Sequence, residues 1–205
     1  MMYKKPLIVF EGIEGSGKTL HSKFLANYLN KKKIKFIKLR EPGGNINSER
    51  IRKLILSNKS KFNKITDLFL YLAARNENLE NLIRSNYKKK IIIIDRFIDS
   101  TLAYQHYGMG IDYKLINNLN NYLTRNIKID LTFLNLVNFK NLKKRLSKRK
   151  NLNRYDKFNI KFYKKVQNGY IKISKYKKNK YKIIDSNKTI SENRHIIIKK
   201  VMSLL

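Results

Sequence analysis

The chain has 205 residues, 42% hydrophobic and 11% aromatic, enough to bury the core of one globular domain and too many for wholesale disorder. Lys and Arg number 47 against 14 Asp and Glu, a formal charge of +33 that taken alone reads as a nucleic-acid or acidic-membrane binder. With 0 Cys there is no disulfide framework, thiolate metal site or cysteine nucleophile, and no apolar run approaches the roughly 20 residues of a bilayer crossing.

The N-terminal MMYKKPLIVFEG passes from a short apolar stretch into a glutamate without a small-residue cleavage site, so a cytoplasmic protein is expected. The lysines spread over the whole length and travel with Asn and Ile, residues that share AT-rich codons. Dedicated nucleic-acid binders cluster their charge, so nucleic acid is not expected as a partner. The scarce acids are more informative. Glu11, Glu14, Glu41, Asp95, Asp99 and Asp156 all fall inside or beside the motifs below.

Leu7–Phe10 predicts a strand that ends at a glycine-rich turn, and Thr19–Leu29 has helical spacing through Leu20, Phe24, Leu25 and Leu29. Ile34–Leu39 alternates as a strand, followed by a turn at Glu41-Pro42-Gly43-Gly44 and a helix through Ile51, Leu54 and Ile55. A longer helix runs from Ile65 to about Arg84. Ile91–Ile94 is the bare β-branched run of a parallel strand buried on both faces. Further strands fall at Leu131–Val137 and Tyr181–Ile184, with helices around 139–149, 158–177 and 189–203. No repeat or linker divides the chain, so a single domain over 1–205 is expected. Its class is α/β: an open five-stranded parallel sheet with helices on both faces and ligands at the carboxyl ends of the strands.

Gly12-Ile13-Glu14-Gly15-Ser16-Gly17-Lys18-Thr19 fits G-x-x-x-x-G-K-[ST] between a strand and a helix, the setting of a phosphate-binding loop, residues 12–19. Glycines let backbone N–H groups curl round a phosphate, and the next helix aims its positive end at the same anion. Lys18 is placed to reach the β- and γ-phosphates of a nucleoside triphosphate, and the Thr19 hydroxyl to ligate Mg²⁺. No N-K-x-D guanine-reading segment occurs, and 205 residues leave little room for a motor, so a small kinase is expected. Asp95, directly after the Ile91–Ile94 strand, is a second Mg²⁺ ligand candidate, and Arg96 offers a planar fork to a second phosphate. Thr101, Tyr104 and Gln105 lie on neighbouring turns of one helix, with groups able to read a base and a sugar.

Arg40-Glu41-Pro42-Gly43-Gly44, Leu72-Ala73-Ala74-Arg75, Asp95-Arg96 and Ser100…Ala103-Tyr104-Gln105, in that order behind an E-G-x-E-G-x-G-K-T loop, closely resemble bacterial thymidylate kinase. The resemblance covers essentially the whole chain. It implies the nucleoside-monophosphate-kinase fold of the P-loop NTPases, transfer of the ATP γ-phosphoryl to dTMP to give dTDP and ADP, and a homodimer. It also implies roles: Tyr71 stacking on thymine, Arg75 at the thymine edge, Arg96 on the dTMP phosphate with Arg40 helping. Thr101 and Gln105 fall near the base, Tyr104 where its ring excludes a ribose 2′-hydroxyl, and Glu14 near the acceptor's sugar. The Glu41–Pro42 bond is expected to be cis.

The loop contains no arginine, whereas some relatives carry a catalytic one there. Leu142–Tyr155 reads LKKRLSKRKNLNRY, and Arg149 and Arg154 match the lid arginines of the bacterial subgroup that lacks the loop arginine. A lid over about 146–157 would carry them to the charge developing on the phosphoryl group. Two departures from the family pattern stand out. Leu134-Asn135-Leu136-Val137 lacks the aspartate common at the end of the fourth strand, and Gln167 stands where an arginine is common. A deoxynucleoside kinase is the rival enzyme; its hydroxyl acceptor would need Glu14 or Glu41 as a base.

Overall fold

A computed structural model of the chain describes residues 5–150 and 152–205. Residues 1–4 of the N-terminal stretch and residue 151 of the expected lid lie outside the described residues. Five parallel strands, β1 (Leu7–Glu11), β2 (Phe36–Arg40), β3 (Ile91–Asp95), β4 (Leu131–Leu136) and β5 (Tyr181–Asp185), form one sheet in the order β2-β3-β1-β4-β5. Register pairs Phe10 with both Asp95 of β3 and Phe133 of β4, which brings the ends of β1 and β3 side by side.

The sheet is central because β1 and β3 are buried at every position, as a strand covered on both faces must be. Alternate residues serve opposite faces. Ile8, Phe10, Ile91, Ile93 and Phe133 pack with Leu25 and Leu29 of α1 (Lys18–Lys31) and Ile197 and Val201 of α9 (Ile190–Met202). Leu7, Val9, Ile92 and Ile94 pack against Leu79 and Ile83 on the other face.

Between β2 and β3 lie α2 (Ile46–Leu56) and α3 (Lys64–Asn78), and α3 runs through a π-helical turn, Leu79–Ile83, into α4 (Arg84–Asn86). The single helix expected over 65–84 thus carries one widened turn, which seats Leu79 and Ile83 on the sheet. After β3, α5 (Ile98–Thr101) also widens into a π-helical segment, Leu102–Gly108. Sequence periodicity missed α6 (Tyr113–Thr124), whose Asn-rich surface hides the inward row Ile116, Asn120 and Thr124. The chain closes through α7 (Phe139–Ser147), a 3₁₀ turn Arg154–Lys157, and α8 (Ile160–Tyr176). None of the described helices is long and apolar enough to cross a membrane.

One of the two departures noted in the sequence has a structural answer. Gln167 on α8 accepts from the Val137 N–H at 3.2 Å and donates to the Val137 carbonyl at 3.0 Å, tying α8 to the end of β4. Gly169 lets α8 pass close to the π-helical segment: a Cβ there would stand 2.5 Å from Cδ2 and 2.6 Å from Cγ of Tyr107. A helical Gly→Ala change ordinarily gains up to about 1 kcal/mol. Here overpacking near the root of the tyrosine outweighs it, so Gly169→Ala is expected to lose roughly 1–2 kcal/mol net, read as a fall in Tm. An unchanged or raised Tm would show that Tyr107 is free to swing aside.

Candidate active site

The phosphate loop, Gly12–Thr19, joins β1 to the N-terminus of α1. Gly12 has no room for a side chain: a Cβ would fall 2.5 Å from the Asn135 carbonyl of β4. The Lys18 ammonium bridges the loop to the Ile13 carbonyl at 3.0 Å, and burial, reinforced by the charge of Arg96, pulls its pKa down to about 8. At the neighbouring strand end Asp95 accepts from the Thr19 hydroxyl at 2.5 Å. The two expected metal ligands therefore lie together, as hard oxygen donors of the kind Mg²⁺ takes.

Arg96 follows Asp95 in a left-handed backbone (φ 70°), uncommon for a residue with a side chain. Its guanidinium turns back over the loop, donating to Glu14 at 2.7 Å and to the Tyr104 and Tyr170 hydroxyls at 3.3 Å each. Burial alone would raise Glu14; the charges of Arg96 and Lys18 and the hydroxyl of Tyr104, which donates to its other oxygen, together hold its carboxyl below the ordinary range.

A single cavity opens above these groups. The structure brings Glu14, Lys18, Thr19, Arg40, Tyr71, Arg75, Asp95, Arg96, Thr101, Tyr104, Gln105 and Arg149 to its walls. Arg75, 2% exposed, donates to Glu41 at 2.8 Å, Asn120 at 2.6 Å and the Phe97 carbonyl at 3.1 Å. The Glu41–Pro42 bond beside it is cis. Three buried polar atoms of lining residues, Thr101 Oγ1, Gln105 Nε2 and Glu41 Oε1, have no partner. Each such orphan costs about 1–3 kcal/mol until something pairs with it.

Arg40 stands at the rim, fastened to both oxygens of Glu49 at 2.9 Å. Arg154 is turned away from the cavity, to Asp67 at 2.6 Å. Gly15, Ser16 and Gly17 face a second hollow behind the loop, with Leu20, His21, Arg145 and Asn193.

The sequence profile described as thymidylate kinase matches residues 10–197. The chain belongs to the thymidylate kinase family. It is 39% identical over 193 residues to the thymidylate kinase of Sulfurihydrogenibium sp. (strain YO3AOP1), 93% of this chain and 94% of that one. With the enzyme of Thermosipho africanus (strain TCF52B) it shares 40% over 184 residues, 89% and 90% of the two chains. The crystal structure of thymidylate kinase from Ehrlichia chaffeensis matches with a TM-score of 0.79 at 32% identity, covering 96% of this chain and 98% of that one. The activity is that of a dTMP kinase, an ATP-dependent phosphotransferase.

Sequence reasoning missed several walls of this thymidylate kinase site. Arg52 lines the cavity from α2 and donates to the Pro42 carbonyl at 2.6 Å. Its signal was a charge interrupting the inward row Ser48, Ile55. Tyr155, beside the lid arginine, and Phe97 also line it.

Below the floor lies Glu11, completely buried. Its carboxylate accepts from the Phe97 and Ser100 N–H groups at 2.9 and 3.2 Å, the Ser100 hydroxyl at 2.6 Å and the Tyr170 hydroxyl at 3.1 Å. It thereby caps α5 from across the sheet, where the N-cap Phe97 offers no side-chain acceptor. Burial, with repulsion from Asp99, pushes its pKa up from 4.5 to about 7. A carboxyl that binds its proton more tightly folded than unfolded contributes stability at low pH, lost as the pH climbs from about 4.5 through 7. Between pH 5 and 8 the Tm of the wild type is therefore expected to fall relative to that of Glu11→Gln, by the equivalent of about 1–3 kcal/mol. A pH-independent difference would mean that Glu11 is ionised throughout.

Proposed function

We propose that phosphoryl transfer runs between the phosphate loop and Arg96. The observation that carries this reading is the lining of the cavity, which holds the cations Lys18, Arg96 and Arg149 together with buried atoms of Thr101, Gln105 and Glu41 that have no hydrogen-bond partner. A nucleoside monophosphate offers both an anion for the first and a polar base edge for the second.

In this reading the loop N–H groups and Lys18 hold the β- and γ-phosphates of ATP. Arg96, helped by Arg40, holds the dTMP phosphate. Tyr71 stacks on thymine, Arg75, Thr101 and Gln105 meet its polar edge, and Tyr104 and Glu14 stand at the sugar. A dTMP phosphate oxygen attacks the γ-phosphorus in line, the bond to the bridging oxygen breaks, and the charge passes to the leaving ADP. Lys18, Arg96 and the lid's Arg149 neutralise the equatorial oxygens. Mg²⁺, held by Thr19 and Asp95, would supply further charge on the β- and γ-oxygens. No general base is required, because the acceptor is already an anion; Glu14 and Glu41 are tied to Arg96 and Arg75, which weighs against a hydroxyl acceptor. The arginine-free loop and the lid's Arg149 and Arg154 support the subgroup that carries its catalytic arginines on the lid. The hollow of His21, Arg145 and Asn193 is our choice for the ATP base. Exposed Ile46, Leu54, Ile65 and Phe69 on α2 and α3 support a homodimer, and the substrates a cytoplasmic location.

The test is ADP release in a coupled assay with ATP and Mg²⁺, scanning dTMP, dUMP, dGMP, dCMP, AMP and thymidine. dTMP is expected to lead, with dUMP behind it by about 10–200-fold in kcat/KM, the worth of one methyl group. Lys18→Ala is expected to lower kcat by about 10²–10³-fold or more. Turnover of thymidine without dTMP would sink the reading and leave Glu14 or Glu41 as the base. Asp95→Asn is expected to raise the Mg²⁺ concentration for half-maximal rate about tenfold or more, as loss of one carboxylate from a site of few protein ligands should; an unshifted Mg²⁺ dependence would remove Asp95 from the metal site.

A further inference from the structure

Asp67 lies in the first turn of α3, 4% exposed, and nothing in the reaction as described uses it. Both of its oxygens are occupied by the lid. Arg154 donates to one at 2.6 Å and the Tyr155 hydroxyl to the other at 3.2 Å. The Arg154 guanidinium also donates through Nε to the Ile55 carbonyl, at 3.0 Å, in the last turn of α2. A carboxylate at a helix N-terminus and a cation at a helix C-terminus are each favoured by the backbone dipoles there, so the arginine bridges two complementary ends. Asn58, in the connection between the same helices, donates to the Leu152 carbonyl at 3.0 Å.

The consequence reaches the acceptor cavity. Tyr155, held through its hydroxyl, stands edge-on to Tyr71 at 5.8 Å and tilted to Tyr104 at 6.1 Å, and it lines the cavity. Arg149 also pairs with a buried carboxylate, Asp156, the residue that closes the capping box of Asn153, but it lines the cavity while so paired. Arg154 is not among the lining residues, and releasing it toward the phosphates would leave Asp67 buried without its cation, a strongly unfavourable step that Arg149 does not have to take.

We propose that Asp67 is a positioning residue that docks the lid through Arg154 and Tyr155, fixing Tyr155 as a wall of the dTMP pocket and leaving Arg149 as the lid arginine that meets the transferring phosphoryl group. This rests on the reading above and divides the labour of its two lid arginines.

Steady-state kinetics on the full chain, with dTMP and ATP varied separately, test it in Asp67→Ala, Arg154→Gln, their double variant and Arg149→Gln. Asp67→Ala and Arg154→Gln are expected to raise KM for dTMP about tenfold each, with kcat within about threefold, the signature of lost substrate binding rather than lost transition-state contact. The double variant should be no worse than the worse single one, because both remove one dock. Arg149→Gln should lower kcat by about 10²-fold with KM for dTMP little changed. Should Asp67→Ala fail to fold, Tyr155→Phe, which removes only the hydroxyl bond, is expected to raise KM for dTMP by about threefold without lowering kcat. Loss of kcat in Arg154→Gln equal to that in Arg149→Gln, with Asp67→Ala near wild type, would overturn the proposal: Arg154 would then leave its dock to act on the phosphoryl. An Asp67→Ala enzyme kinetically equal to wild type would also overturn it. If Arg149→Gln keeps full kcat while Asp67→Ala and Arg154→Gln still match, it is the placing of phosphoryl charge on the lid that fails, and the dock stands.

Discussion

Arg96 sits where the backbone turns left-handed at the end of β3, and its guanidinium faces a carboxylate, two phenols and the mouth of the phosphate loop. Most of the site is arranged around that one cation. Glu14 neutralises it and belongs to the loop itself, so the loop and β3 are joined by an ion pair whose side chains are only 13% and 16% exposed. Glu11 holds the next turn from beneath, through Phe97 and Ser100, and reaches the same tyrosine, Tyr170, that Arg96 touches. In the proposed reading an arginine so braced is already in position for the dTMP phosphate, which would remove ordering entropy from the binding step.

The bracing also explains where the acids of this chain are found. With 14 Asp and Glu against 47 Lys and Arg, a carboxylate at a given position is unusual, yet the site contains carboxylates at every level. Glu14 faces Arg96, Glu41 faces Arg75, Asp67 faces Arg154 and Asp156 faces Arg149. Each arginine near the nucleotide has a partner that fixes its direction. The exterior can drift toward lysine without harm, because charges on the surface are screened within about 10 Å at moderate salt.

The sheet was legible from the sequence because Leu7–Phe10 and Ile91–Ile94 are continuous apolar runs, and only a strand buried on both faces tolerates such a run. The phosphate loop was legible because its glycines answer a backbone requirement that other residues cannot meet, as Gly12 against Asn135 illustrates. The cluster of Glu14, Tyr71, Arg75, Arg96 and Gln105 around one cavity followed from motif order rather than from any local rule. What stayed hidden depends on contacts distant in sequence. Arg154 meets Asp67 across 87 positions, and nothing in LKKRLSKRKNLNRY distinguishes an arginine aimed at a phosphate from one anchored to a helix end. The π-helical turns, likewise, answer to packing of Leu79 and Ile83 on the sheet and of Tyr107 on Gly169, not to local periodicity. Helix α6 escaped notice because asparagine masks its inward row.

Gln167 supplies a last contrast. Its amide closes on the N–H and the carbonyl of Val137, much as an additional strand residue would. A guanidinium has five donors and no acceptor, so an arginine at this position could satisfy the carbonyl but never the N–H. The neutral amide matches both, and its attachment owes nothing to ionic attraction. In a chain carrying +33, that makes this tie of α8 to β4 indifferent to ionic strength, whereas an exposed pair such as Arg40 with Glu49 weakens as salt rises.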